Sequence, residues 1–259
     1  MKRLLLIMMM VLLGFAGVQA QTKETFSYLK WQKVIPGDPY CNYYFGYNAS
    51  GVAFSFDGRL QQDLPNGSPL KNDSNYTNDD PSGNVYLGFF QKDKNAPKFH
   101  LFFSQGPSVD PTFSISDQNF NHIWECPGEE LAITDLGTIY VSGETNKMFN
   151  MRQKFQLSQN GIIEVPQPYY YVGLKDKLMK SVKLYSQKEG GKVVATLPKG
   201  YKIEVLLAAP KSSSSGDSYN SDRFLVATEY GLVGWMRLSI DEQYPTENRV
   251  SEHLYYHGD

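Results

Sequence analysis

Residues 191–210 read GKVVATLPKGYKIEVLLAAP, and this stretch predicts a strand–turn–strand unit in the C-terminal half of the chain. Two segments rich in β-branched residues flank a Leu-Pro-Lys-Gly turn. Apolar and polar residues alternate in YKIEV, which is typical of a half-buried strand. Pro198 restricts the chain entering the turn, and Gly200 supplies a backbone conformation that residues with a Cβ disfavour. We predict that four side chains of this unit share one core: Val194, Leu197, Ile203 and Val205.

Strand signals of the same kind occur along most of the chain. Short segments of aromatic and β-branched residues are separated by Gly, Pro, Asn and Asp. Among them are NVYLGFF (84–90), KFHLFF (98–103), GTIYVSG (137–143) and MRQKFQLS (151–158). Helical periodicity is scarce, and the chain contains 18 Tyr and 15 Phe. The sequence therefore predicts an all-β protein whose first domain is an aromatic-rich β-sandwich or barrel.

The N-terminus has the pattern of an export signal. Lys2 and Arg3 precede an apolar run, and Val18 and Ala20 occupy the −3 and −1 positions of a small-residue cleavage site. No later segment is continuously apolar, so we expect no membrane span. The sequence predicts a soluble protein exported to the periplasm or the extracellular space.

Composition shifts divide the chain. Pro166 and Pro168 interrupt the strand pattern and place a domain boundary near Tyr170. Two polar, breaker-rich segments, residues 64–84 and 211–222, are predicted to be exposed loops. The predicted organisation is a signal peptide (1–20), a β-rich domain (21–169), a small barrel (170–240) and an acidic tail (241–259) that forms a short helix or a docked extension.

Charge is distributed unevenly between these parts. Residues 175–238 contain 11 basic and 6 acidic residues, residues 21–174 contain 11 and 16, and residues 239–259 contain 1 and 5. Such asymmetry indicates either an acidic ligand for the basic part or attraction between two domains. Nucleic acid is excluded as a partner by export and by the acidic remainder of the chain.

Residues 181–238 resemble a bacterial SH3 (SH3b) domain. The resemblance lies in SVKLYSQKEGGKVVATLPKGYKIEVLL and RFLVATEYGLVGWMRL, read as an opening strand, the GGKVVATLPKG block, two further strands and the pair Gly234-Trp235. The family's usual opening, Asn-x-Arg followed by Gly-Pro, is replaced here by VKLYSQKEGG. The resemblance implies a small, strongly bent β-barrel and a ligand such as peptidoglycan peptide or an envelope protein.

Five residues are candidates for contact with that ligand: Tyr185, Arg223, Tyr230, Trp235 and Arg237. The aromatic residues supply contact energy, and the guanidinium groups bind carboxylates in a bidentate fork. The alternative interpretation makes Trp235 a core residue and the arginines ordinary surface charges. We expect Tyr185, Phe224 and Trp235 to lie inside the barrel or at its rim.

The first domain contains two cysteines of the exported chain, Cys41 and Cys126. Export to an oxidising compartment favours a disulfide between them, and two buried free thiols are the alternative. Cys41 with His100 or His122 is the one cysteine–histidine combination for catalysis. The DPYCNYYFGY context, however, is extended and aromatic, whereas a catalytic cysteine of a cell-wall peptidase begins a helix. We expect His100 to be a strand residue that faces solvent.

Other catalytic and metal patterns are weak. The chain has no Gly-x-Ser-x-Gly motif and no His-Glu-x-x-His or paired Cys-x-x-Cys motif. The acidic loop from Asp73 departs from an EF-hand at its sixth and twelfth positions. Glu129 and Glu130 are adjacent and are expected to point to opposite faces of a strand. We predict no cofactor and no metal.

The functional prediction is therefore an exported, non-catalytic binding or scaffold protein of the cell envelope. Its SH3b-like domain would contact peptidoglycan or a protein. The alternatives are a cell-wall hydrolase with an unrecognised active site and a protein that binds carbohydrate through the tyrosine-rich first domain.

Overall fold

The computed structural model describes residues 25–34, 52–63, 85–104, 110–134, 137–158, 161–210 and 221–258. The predicted signal peptide, Cys41, the 64–84 segment with its acidic loop, and residues 211–220 of the second predicted loop lie outside these ranges. No helix in the described ranges is long and apolar enough to cross a membrane. The described chain is nearly all β, which confirms the predicted fold class.

The described residues form seventeen strands. Their bounds are β1 (Gln32–Lys33), β2 (Ala53–Phe56), β3 (Gln61–Asp63), β4 (Val85–Gln91), β5 (Phe99–Ser104), β6 (Thr112–Ser116), β7 (His122–Pro127), β8 (Glu130–Ile133), β9 (Thr138–Gly143), β10 (Met151–Ser158), β11 (Gly161–Glu164), β12 (Tyr170–Lys177), β13 (Val182–Tyr185), β14 (Val193–Leu197), β15 (Lys202–Ala208), β16 (Arg223–Thr228) and β17 (Val233–Arg237).

The first two sheets share one core. The first sheet has the order β1-β2-β8-β9-β10-β11, and the second is the antiparallel meander β3-β4-β5-β6-β7. Phe54 and Leu131 of the first sheet are buried in one cluster with Leu101 and Phe113 of the second. These two sheets therefore pack in the manner of a sandwich rather than a closed barrel.

The third sheet is formed by the last six strands in the order β12-β15-β16-β17-β13-β14. One of its faces is buried, because alternate residues of its strands point inward. Leu184, Val205, Phe224 and Met236 are fully buried in a second hydrophobic cluster. Gly234 allows β17 to approach β13, since a Cβ at this position would lie 2.8 Å from the Cβ of Leu184.

The Leu-Pro-Lys-Gly turn bends this sheet. The N–H of Tyr201 donates to the carbonyl of Pro198 (3.2 Å), and Gly200 has a φ of +85°, as the third position of a type II turn requires. Such a turn holds its end Cα atoms within about 7 Å. However, β14 and β15 are four strand positions apart in the sheet, and in a flat sheet these two strands would be separated by about 19 Å. The sheet must therefore curl so that its two ends approach each other at the turn.

The curled sheet is not a closed barrel. Among the described strands, no hydrogen-bonded pairing joins the edge strands β12 and β14. The core prediction also needs one correction. Leu197, Ile203 and Val205 are buried as predicted, whereas Val194 is 38% exposed. The cause is strand alternation: Val194 lies three residues before the buried Leu197, and strand residues an odd number of positions apart point to opposite faces.

The acidic tail docks against the third sheet and the β9–β10 turn. It begins with a short 3-10 helix, Ile240–Glu242, and then forms isolated bridges with Leu178 through Ser251 and with Lys147 through His257. Val250 and Leu254 are buried in the second cluster. The tail is thus a docked extension that ties the third sheet to the turn between β9 and β10.

Candidate functional site

A continuous row of apolar side chains crosses the outer face of the third sheet. The strand register aligns one residue from each of the six strands through successive cross-strand pairs. In sheet order these residues, which we call the apolar row, are Tyr171, Leu207, Leu225, Trp235, Tyr185 and Val193. Side chains aligned in this way lie next to each other on one face.

The apolar row is accessible to solvent. Tyr171 is 53% exposed and Val193 is 50% exposed at the two ends, and the four residues between them are half-buried. The ring of Tyr169, which precedes β12, lies 5.8 Å from the ring of Trp235 and widens the row. An antiparallel sheet with one buried face normally carries polar residues on its other face, so this arrangement requires an explanation.

Arg237 lies at one side of the row and is engaged within the chain. Its guanidinium carbon is 3.9 Å from the ring centroid of Tyr185. The guanidinium also donates hydrogen bonds to the carbonyls of Gln187, Lys188 and Gly190. Arg237 therefore holds the β13–β14 connection against the sheet through Nε and Nη2, which donate to backbone oxygens.

Arg223 is the register partner of Arg237 and is engaged in a similar way. Its side chain forms ion pairs with Glu189 (3.2 Å) and Asp222 (2.8 Å). The two predicted carboxylate-binding arginines thus form a polar rim beside the row, with their charges used in contacts within the chain.

Tyr230 lies apart from the other four predicted ligand residues. It is 86% exposed in the turn between β16 and β17. The end of β16 is three residues beyond Leu225, so the turn that carries Tyr230 begins about 10 Å from the apolar row. The structure therefore groups Tyr185, Trp235, Arg223 and Arg237 and leaves Tyr230 at another end of the sheet. It also places Trp235 and Tyr185 on the outer face and only Phe224 in the core.

Sequence reasoning missed four residues of the row: Tyr171, Leu207, Leu225 and Val193. Leu225 carried a usable signal, because it stands between the buried residues Phe224 and Val226 in RFLVAT. A strand with three consecutive apolar residues is apolar on both faces. The other three required the register, since a strand bulge precedes or adjoins each of them.

A second concave region lies where the tail meets the third sheet. It is a cavity of about 480 Å³, and its lining includes Asp176, Glu204, Glu252 and His253. Ligating atoms of Asp176, Glu252 and His253 lie within 4.8 Å of one another, so among the described residues these three form a group that could hold a metal ion.

The carboxylate of Asp176 is already used to dock the tail. It accepts hydrogen bonds from the backbone N–H groups of Lys177 (2.8 Å), His253 (2.9 Å) and Leu254 (3.2 Å), and it lies 3.1 Å from Nδ1 of His253. Burial alone would raise the pKa of Asp176, but hydrogen bonds from His253, Ser251 and Lys177 outweigh it and lower the pKa. We assign this cluster to attachment of the tail.

Cys126 is buried between the first two sheets, and its sulfur forms no disulfide with another described residue. Its Sγ lies 3.6 Å from Oε1 of Gln153, to which it donates. Burial raises the pKa of Cys126 to about 11, so the thiol is protonated at neutral pH and is not a nucleophile. The predicted disulfide partner, Cys41, lies outside the described residues, and the bridge stays a prediction.

Lys147 is fully buried near Cys126 and also has a structural role. Its Nζ donates to the carbonyl of Pro127. Burial lowers the pKa of Lys147, while the carboxylates of Glu129 and Glu164 act in the opposite direction. Nearby, the carboxylate of Glu129 accepts from the N–H of Glu144 (2.9 Å) and from the N–H of Thr145 (3.2 Å) and its hydroxyl. These contacts join the start of β8 to the β9–β10 turn.

The histidines of the first two sheets also make contacts within the chain. His100 is buried, stacks on Phe120 at 4.1 Å and lies 3.0 Å from the hydroxyl of Tyr86, so the expectation that it faces solvent was wrong. The reason is that Phe120 covers this face of β5. His122 is exposed, with Nε2 3.7 Å from the carboxylate of Glu125.

Comparison of the chain with models of known families, with curated proteins and with solved structures finds no match. The resemblance to SH3b domains therefore rests on the sequence motifs and stays a prediction.

Proposed function

We propose that this chain is an exported, non-catalytic binding protein of the cell envelope that docks a protein partner on the outer face of its third sheet. The observation that carries the proposal is the apolar row. Solvent-facing strand positions that are apolar on all six strands leave a surface that water covers poorly and that a partner would bury.

The dimensions of the row suit a protein interface. Measured along the curved sheet, five spacings of about 4.8 Å between the six strands give a row about 24 Å long. Tyr and Trp are the residue types that most often dominate binding energy at interfaces, and they form the central and terminal positions here. The arginines at the side correspond to the polar rim of such an interface.

A protein partner fits better than the carboxylates of a peptidoglycan peptide. Carboxylate recognition would use the guanidinium groups of Arg223 and Arg237. These groups already contact Glu189, Asp222 and three backbone carbonyls. The surface that remains is apolar, and burial of apolar area is what stabilises protein association.

Site-specific photo-cross-linking in the producing cell tests the proposal. A benzophenone amino acid at Val233, which is exposed on the outer face of β17, is compared with one at Ile163, which is exposed on β11 of the first sheet. The protein cross-linked from Val233 is identified by mass spectrometry and purified. Its affinity for the mature chain is then measured with Trp235→Ser and Leu225→Ser variants.

We expect a specific cross-link from Val233 and a loss of affinity of about ten-fold or more in both variants. Equal cross-linking from Val233 and Ile163 would contradict the proposal, as would unchanged affinity in both variants. Co-sedimentation of the mature chain with purified peptidoglycan sacculi that is abolished by Trp235→Ser would replace the protein partner with the cell wall.

A further inference from the structure

We propose that the partner contributes an extended, acidic segment that adds to the third sheet as a seventh strand beside β14. This inference rests on the proposed function, because it names how the partner meets the end of the apolar row. It would add main-chain hydrogen bonds to the apolar contact, the mode by which extended peptides bind exposed sheet edges.

The first support is the position of β14. It ends the strand order of the third sheet and, among the described strands, is hydrogen-bonded to β13 alone. In an antiparallel pair, alternate residues direct their N–H and C=O groups away from the partner strand. Within the described part of the chain, the outer side of β14 therefore presents unpaired backbone groups of the kind that another strand can use.

The second support is the exposure of β14. Val193, Val194 and Thr196 are exposed, and Ala195 is half-buried. Protected edges usually carry charges or proline within the strand, and β14 has neither in VVATL. The opposite edge strand differs, because the tail covers the end of β12 through the N–H of Glu252, which donates to the carbonyl of Lys177.

The charge around β14 identifies the partner as acidic. Lys192 precedes the strand, Lys199 follows it, and Lys183 lies across from Thr196 on β13. All three lysines are exposed, and the stretch from 190 to 200 contains no Asp or Glu. A segment with acidic residues near its ends would therefore meet a lysine at each end of β14.

The same charges disfavour a second copy of this chain as the occupant. Antiparallel pairing of two β14 strands about Ala195 would set Lys192 of each copy opposite residue 198 of the other copy. Lys192 of one copy would then lie near Lys199 of the other. Four lysines would then gather along one ladder, and like charges across strands are destabilising. The acidic partner avoids this repulsion.

The apolar row predicts the remaining residues of the segment. Val193 is the last member of the row on β14, so a residue paired with it would point to the same outer face. We therefore expect an apolar residue at that position of the partner, with period-two alternation on either side. Glu-Thr-Val-Thr-Val-Thr-Glu is a simple sequence of this type.

Binding of that heptapeptide to the chain from residue 21 tests the inference. Fluorescence anisotropy compares its binding with that of Lys-Thr-Val-Thr-Val-Thr-Lys and of two N-methylated acidic peptides. Each N-methylated peptide carries methyl groups on alternate backbone nitrogens, so that one peptide loses the N–H groups of one strand edge and the other peptide loses those of the opposite edge. One double variant, Lys192→Glu with Lys199→Glu, reverses the charges beside β14. The control double variant, Lys175→Glu with Lys177→Glu, makes the same change of charge on β12. Amide hydrogen exchange of Ala195 and its neighbours reports pairing directly.

We expect the acidic peptide to bind, one N-methylated peptide to lose about ten-fold or more in affinity, and the other to bind normally. The β14 charge reversal should weaken binding to a similar extent, and the β12 reversal should leave it unchanged. Protection of β14 amides in the complex should rise. Equal binding of both N-methylated peptides, or of the basic peptide, would overturn the inference.

The purified partner separates this inference from the proposed function. Partner binding that survives the β14 charge reversal but fails with Trp235→Ser overturns the edge pairing and leaves docking on the row intact. Partner binding that survives Trp235→Ser and Leu225→Ser overturns the proposed function itself. Loss of binding with both kinds of variant supports the two together.

Discussion

The first two sheets bury polar groups, whereas the third sheet exposes apolar ones. Between the first two sheets, Lys147 and Cys126 are fully buried and contact backbone and side-chain oxygens of the same chain. On the third sheet, Trp235 and Tyr171 face outward beside other apolar residues. A buried polar group that finds its partner inside the chain is explained by folding. An exposed apolar row has no such partner in the described chain, and our proposal explains it by a partner outside the chain.

Two neighbouring residues of β16 give the sharpest test of this contrast. Phe224 is fully buried and Leu225 belongs to the apolar row. Phe224→Ala should destabilise the fold by about 3–5 kcal/mol, because it leaves a cavity in the core. Leu225→Ser should cost about 1 kcal/mol or less and yet remove partner binding, because this side chain is only half-buried. Urea unfolding and affinity for the purified partner measure both quantities.

A loss of 3 kcal/mol or more with Leu225→Ser would show that the outer face is needed for folding, and the contrast between the two faces would fail.

Glu129 tests whether the polar contacts of the first two sheets are structural. Glu129→Ala should destabilise the fold by about 2–3 kcal/mol, because two N–H groups and the Thr145 hydroxyl lose their acceptor. Glu125→Ala is the matched control on exposed β7 surface and should cost less than about 0.5 kcal/mol. Equal effects of the two variants in thermal unfolding would contradict the structural role.

Asp176 makes the attachment of the tail depend on pH. Its pKa is lowered in the folded state, so its stabilising contribution is complete above the unfolded value of about 3.9 and is lost as pH falls through the folded value. At neutral pH, Asp176→Asn should destabilise the fold by about 2 kcal/mol, because three backbone N–H groups lose a charged acceptor.

The difference in unfolding free energy between the wild-type chain and Asp176→Asn should begin to narrow below about pH 4 and should go on narrowing as the pH falls through the lowered folded pKa of Asp176. If the difference in unfolding free energy stays constant as the pH falls, the ionised carboxylate of Asp176 does not contribute to docking of the tail.

Tyr230 should give the smallest effect. It is exposed in a turn away from the row, so Tyr230→Ala should change the unfolding free energy by less than about 0.5 kcal/mol and leave partner affinity unchanged. A substantial loss of affinity would extend the binding surface to the β16–β17 turn, and the row would no longer define it.

The apolar row and the arginines beside it were only partly predictable from sequence. Trp235, Tyr185, Arg223 and Arg237 were identified by type and by resemblance, and the structure places them together. Their roles were not predictable, since the arginines contact Glu189 and the carbonyls of residues 187, 188 and 190. Those contacts depend on how the β13–β14 connection folds back, and local pattern contains no information on this point.

By itself, the sequence determined the all-β class, most of the strands and the Leu-Pro-Lys-Gly turn. These follow from side-chain periodicity and from the conformations open to Pro198 and Gly200, which act over a few residues. The tertiary structure was needed to show that the sheet curls without closing, that Val193 faces outward and that six strands align an apolar row. Register and bulges set these features, and a shift of one residue moves a side chain to the opposite face.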